Sequence, residues 1–156
     1  MENKIESISA FWKSNKMEVE QCSELVYGFL ILLKEHNSTL FSHWYKKGRS
    51  KKDAMKNEII LEPLFFNNEI NRNWDKLFHN LGARLSYWTG NIGPADISFQ
   101  VGVYGDRPHH VNSCVLGLPE KCDFYENEQN RIKLIRLFKE YWKPDELLIN
   151  GSKVNF

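Results

Sequence analysis

Apolar residues recur every three to four positions over several stretches of the chain and every second position over others, and the change of period separates helical from extended parts. Asn15 and Glu18 stand three residues apart as a cap and its partner. Val19, Cys22, Val26, Phe29, Leu30 and Leu33 follow on one face, which predicts a long helix. A shorter helix is predicted from Ser38 through Tyr45, with Leu40, Phe41 and Trp44 inward. Ile70, Trp74, Leu77, Phe78 and Leu81 then repeat at helical spacing up to Gly82, a residue suited to the left-handed position after a helix.

Beyond Gly82 the period drops to two. ARLSYWTG alternates, DISFQVGVYG alternates through Ile97, Phe99, Val101 and Val103, and VNSCVLGLP places Cys114, Leu116 and Leu118 together. NIGPA and GDRPHH, rich in turn residues, join these runs, so three strands in an antiparallel meander are predicted. KIESISAFW near the N-terminus alternates as a further strand. A second long helix carries Ile132, Ile135, Phe138 and Trp142 on one face and is stopped by Pro144, after which ELLIN, Glu146 to Asn150, returns as a strand. The order predicts an α+β fold: an antiparallel sheet, the three-strand meander plus terminal strands, packed by helices on one face.

With 156 residues, 42% of them hydrophobic, the chain is long enough for one substantial core, and residues 1–156 are expected to form a single domain. The formal net charge of +1 gives no strong overall field toward nucleic acid or an anionic membrane. The N-terminal MENKIESISAF carries charges where a signal peptide needs an apolar run, and no stretch reaches the roughly 18 apolar residues of a membrane span, so a soluble protein is expected. Cys22, Cys114 and Cys122 are odd in number and lack CxxC spacing, which argues against a disulfide framework and a thiolate zinc site and fits a reducing cytoplasm.

Charge is concentrated in one place, FSHWYKKGRSKKDAM, Phe41 to Met55. KKGRSKK has one glycine and lacks the two-glycine frame of a phosphate-cradling loop. Gly48 falls where the helix carrying Trp44 is expected to end, Lys46 and Lys47 suit that helix's negative end, and Ser50 with Asp53 resembles a capping box for a following helix. Gly48 and Ser50 are then a structural corner. The alternative is a nucleic-acid-binding module using the basic corner Lys46–Lys56, with Lys46, Lys47, Arg49, Lys51, Lys52 and Lys56 on phosphates and Trp44 or Tyr45 stacking on a base.

Catalytic patterns do not assemble. His109 and His110 lie in an expected loop without HExxH, HxH or Cys/His spacing. There is no GxSxG elbow, and Cys22 sits on an apolar helix face. The one Glu-x-Lys, Glu2-Asn3-Lys4, has no acidic residue upstream to complete a metal site. The expectation is a binding protein, not an enzyme, with neither cofactor nor metal.

AFWKSNKMEVEQCSELVYGFLILL, LFSHWYKKGRSKKDAM, LGARLSYWTGN and a helix ending in YWKPD follow one another in an order that resembles the immunity protein 52 family of bacterial polymorphic toxin systems. The likeness covers nearly the whole chain through short, degenerate motifs. It implies an α+β protein whose Gly-x-Ser motif maps onto Gly48 and Ser50. It further implies a gene beside that of a toxin with a restriction-endonuclease-like domain, and binding of that toxin in the cytoplasm of producing or sibling cells. No catalytic residue is carried over. The family pattern usually continues past Trp-x-Pro-Asp into another aromatic-rich segment, whereas this sequence stops at Phe156, as a shortened member would.

A nuclease cleft is cationic, so a blocker offers carboxylates, with aromatic anchors supplying buried area. The toxin-binding candidates are Asp96 and Asp106 at strand ends, and Glu126 and Glu128, which with Glu120 and Asp123 lead into the last helix. The plain alternative for each is a solvated turn or a partner for the helix dipole. Trp88 and Tyr104, on the sheet face opposite Tyr87 and Val103, are the aromatic candidates, and their alternative is burial under a helix.

Overall fold

The computed structural model describes residues 4–46, 56–90 and 93–155. Gly48, Ser50 and most of the basic corner lie outside the described residues. The strands are β1 (Ser7–Trp12), β2 (Ala83–Trp88), β3 (Asp96–Val101), β4 (Asn112–Gly117), β5 (Glu146–Ile149) and β6 (Ser152–Lys153). The described helices are α1 (Val19–His36), α2 (Ser38–Phe41), α3 (Pro63–Asn73) and α4 (Glu128–Trp142).

The strands form one antiparallel sheet in the order β2-β3-β4-β1-β5-β6, so the predicted meander is flanked by the terminal strands. The fold is α+β with helices packed on the sheet. Register explains why one face is covered. Ile8, Ala10, Leu85, Tyr87, Ile97, Phe99, Cys114, Leu116 and Leu147 point to the buried side, where they meet Val26, Phe29, Leu30, Leu33, Phe66, Ile70, Leu134 and Phe138 from the helices. The alternate positions Arg84, Ser86, Ser98, Gln100, Ser113 and Ser9 are exposed or half-buried, so this face is polar over β2 and β3, while Phe11, Val115 and Leu148 lie half-buried on its β1, β4 and β5 part. Trp12 and Trp142 stack at 4.4 Å between ring centroids and close one end of the core.

Local chemistry moves several predicted boundaries. The first helix begins at Val19, with Glu18 rather than Asn15 as its cap and the Gln21 side chain accepting from the Glu18 N–H at 2.8 Å. The short helix ends at Phe41, capped by Asn37, while Trp44 is fully buried beyond it. In α4 the inward stripe is Leu134, Phe138 and Trp142, and Ile132 is exposed, so the expected Ile132-Ile135 stripe is shifted round the helix. The chain then turns at Lys143 in the left-handed conformation before Pro144.

The largest departure concerns Ile70 to Leu81. The helix ends at Asn73, and Trp74 is extended and bridges Ala83 at the edge of β2. Asp75 supplies the reason: its Oδ1 accepts the N–H groups of Leu77 at 2.9 Å and Phe78 at 2.7 Å, an Asx turn that competes with helix continuation. Leu77 and Phe78 therefore face solvent at 85% and 59% exposure, not the core. Gly82 follows a short 3-10 turn, and a Cβ there would collide with the Val101 carbonyl, so glycine is needed for close strand approach.

The β5-β6 hairpin turns through Asn150 and Gly151, both at positive φ. Asn150 also clips the other end of the chain to it. Its Oδ1 accepts from the N–H groups of Glu6 and Ser7, and its Nδ2 donates to the Lys4 carbonyl.

Candidate functional site

The candidate residues separate to two ends of the sheet. Asp96 pairs with Trp88 on one side and Gly117 on the other, and the turn holding Glu126 and the start of α4 at Glu128 follow β4 from that same end. Asp106 and Tyr104 belong to the loop between Val101 and Asn112, at the opposite end of the β3-β4 pair. Six-residue strands keep the two ends roughly 17 Å apart, so Asp96 and Asp106 cannot act in one small contact.

Trp88 lies on the polar face and is half-buried, its backbone bonded both ways to Tyr45 at 2.8 and 3.0 Å. Its indole Nε1 is buried and has no hydrogen-bond partner among the described residues. Asp96, Asp106, Glu126 and Glu128 are exposed. Tyr104 is half-buried, and its backbone exchanges hydrogen bonds with Asn80: the Tyr104 N–H donates to the Asn80 carbonyl at 3.0 Å, and Asn80 Nδ2 donates to the Tyr104 carbonyl at 3.3 Å. That pairing sets Tyr104 beside the Asx turn carrying Leu77 and Phe78. Trp74 braces the turn from beneath, donating through Nε1 to the His79 carbonyl at 2.8 Å.

A second assembly has no counterpart among the expected sites. Glu69 on α3, with its side chain only 4% exposed, accepts from Lys46 Nζ at 2.7 Å and Arg72 Nη1 at 3.0 Å through Oε2, and from the Tyr87 hydroxyl at 3.3 Å through Oε1. Burial, then the Glu69 carboxylate, push the Tyr87 hydroxyl well up, so it remains a donor at all ordinary pH. Arg84 projects from β2 beside this cluster. A cleft of about 350 Å³ lies between α3 and the outer edge of β2, lined by Lys46, Glu69, Arg72, Asn73, Arg84 and Ser86 among others. The signal available in the sequence was a lone Glu on the apolar side of a helix, which is legible only once basic residues are known to face it.

The remaining titratable groups are placed structurally. His36 Nε2 contacts the Tyr125 hydroxyl at 3.0 Å at the end of α1, where burial first and Lys133 second hold its pKa down. His109 and His110 touch edge to face at 4.5 Å in the loop carrying Asp106. Cys22 and Cys114 are buried, and burial pushes the Cys22 thiol up to about 11, away from nucleophilic use. Among the described residues no three His, Cys, Asp or Glu side chains stand together as a metal group, and no helix is long and apolar enough to cross a membrane. No protein-family model matches the chain, and no curated protein matches it either.

Proposed function

We propose that this chain is an immunity protein that binds and neutralises a cognate bacterial toxin, a nuclease with a restriction-endonuclease-like domain encoded by the adjacent gene, in the cytoplasm of producing or sibling cells. It acts by occupying a surface of the toxin, without chemistry of its own. The order of motifs from AFWKSNK to YWKPD supports the choice of partner.

One observation chiefly supports binding to a protein: Leu77 and Phe78 are adjacent, exposed and held in place by the Asp75 turn. Large apolar side chains displayed on a pre-ordered turn lose little entropy on docking and suit a pocket in a partner. Tyr104, bonded through its backbone to Asn80, adds an amphipathic ring near them, and Asp106 adds a carboxylate in the same loop as Tyr104. Co-expression with the product of the adjacent gene tests the proposal. The expected result is rescue of growth and a complex that survives gel filtration. A neighbouring product that is harmless alone, or that never co-elutes, overturns it.

A further inference from the structure

We propose that the cleft between α3 and the outer edge of β2 binds a phosphate monoester, held by Arg84, Arg72 and Lys46. These three cations reach the cleft from three separate elements: the segment after α2, helix α3 and strand β2. Glu69 neutralises one of them, leaving two positive charges. That residue matches the charge of about −1.5 to −2 carried by a phosphate monoester at neutral pH better than the single charge of a carboxylate.

The cations are also pre-ordered. Glu69 is buried and takes one bond each from Lys46 and Arg72, which fixes both side chains at the rim of the cleft. Arg72 spends only Nη1 on this contact, so the rest of its guanidinium donors remain for a ligand. The Arg84 side chain makes no hydrogen bond or ion pair with any described residue, although it lies beside the cluster. A tetrahedral oxyanion can be met from several directions at once, as this arrangement offers, whereas one guanidinium fork would suffice for a carboxylate. Past Arg84 and Ser86 the surface continues over the polar face of the sheet, lined by Ser98, Gln100 and Ser113. Hydroxyl and amide groups there suit the polar remainder of a ligand such as a sugar.

The phosphate can belong to a free nucleotide or to the 5′ end of a nucleic-acid strand, and the test separates these sources. The full chain is titrated by calorimetry at low ionic strength with inorganic phosphate, a nucleoside 5′-monophosphate, and one single-stranded oligonucleotide with and without a 5′-phosphate. Saturable binding of the phosphate-bearing probes is expected, weakened about tenfold or more by Arg84→Gln through loss of charge-assisted hydrogen bonds. The Arg84 side chain is exposed and has no ion pair among the described residues, so this variant keeps its thermal midpoint, and Arg72→Gln serves as the second variant. Tighter binding of the phosphorylated oligonucleotide than of the nucleotide assigns the ligand to a strand end, and the reverse assigns it to a small molecule. Absence of saturable binding, binding that neither substitution weakens, or equal binding of the oligonucleotide with and without its terminal phosphate overturns the proposal.

Discussion

Tyr141 on α4 reaches the backbone of α1 only because residue 28 is glycine. Its hydroxyl donates to the Leu25 carbonyl at 2.6 Å and would lie 2.6 Å from a Cβ at position 28. Burial pushes this hydroxyl up to about 12, so it stays a donor. Gly28→Ala gains about 1 kcal/mol of helix propensity but must displace Tyr141, at a cost of about 1–3 kcal/mol. Net destabilisation is expected. Adding Tyr141→Phe should turn the alanine from harmful to neutral or favourable, and urea unfolding of the four proteins measures the coupling.

Glu69 should be the most sensitive carboxylate in the protein. Its replacement by Ala leaves Lys46 half-covered and the Tyr87 hydroxyl buried without its acceptor, a loss of about 3 kcal/mol. Lys46→Ala and Arg72→Ala each remove only one of three donors and should cost less. Chemical denaturation that ranks either basic substitution above Glu69→Ala would show that the cluster is not organised around the carboxylate.

Stability should fall on mild acidification. His36 has its folded-state pKa below the ordinary value near 6.5, because of burial first and Lys133 second. The unfolded chain therefore binds the proton more readily, stability is full above about pH 6.5, and it declines as pH falls toward the lower folded value. His110 shifts in the same direction, so His36→Gln removes part of the slope and not all of it. Thermal midpoints of parent and variant, compared from pH 7.5 to 5.5, should converge with acidification. A constant difference would mean that His36 titrates alike in both states.

Asn150 is expected to matter beyond its turn. Asn150→Ala loses three side-chain hydrogen bonds to the N-terminal segment and places an alanine at positive φ, for a combined cost of about 2–3 kcal/mol. Asn150→Asp keeps the acceptor for Glu6 and Ser7 and loses the donor to Lys4, so it should fall between parent and alanine. Amide exchange of Glu6 and Ser7 reports the loss directly.

The separation of the carboxylates makes the toxin contact testable by end. Leu77→Ser with Phe78→Ser, and Asp106→Lys, should weaken binding of the cognate toxin while barely changing stability, because all three side chains are exposed. Asp96→Lys and the pair Glu126→Lys with Glu128→Lys should leave it intact. The opposite pattern in a pull-down with purified toxin would move the interface to the Trp88 end of the sheet.

Strand periodicity was legible along β2, β3 and β4, where alternation reports a sheet with one dry face and one wet face. The helix through Leu81 was not, because the spacing of Trp74, Leu77, Phe78 and Leu81 imitates a helical stripe. Asp75 alone carries the opposing signal, and its Asx turn wins only when Trp74 is drawn to the β2 edge. Asn150-Gly151 was a readable hairpin signal that marks β6, a strand too short to show any period of its own. Asp96 stands at a strand end as expected, whereas Asp106 sits in mid-loop, five residues beyond the end of β3, because that strand stops at Val101 instead of running on through Val103. The Glu69 cluster joins residues from three elements, and only its Glu69–Arg72 pair, three residues apart on one helix, is local in the sequence.

β1 lies between β4 and β5, and each of its partners is 100 residues or more downstream. On a ribosome, β1 must therefore wait until the chain has been made through β4 before it meets its first partner. Until they meet, the apolar row of Ile8, Ala10 and Trp12 has no mate, and the meander β2-β3-β4 presents a raw edge where β1 belongs. Pairing of β1 with β4 closes a loop of about 100 residues, with a high loop-closure cost, and β5 can add to the other edge of β1 only afterwards. Overexpression faster than that step would favour sheet-edge association between unfinished chains.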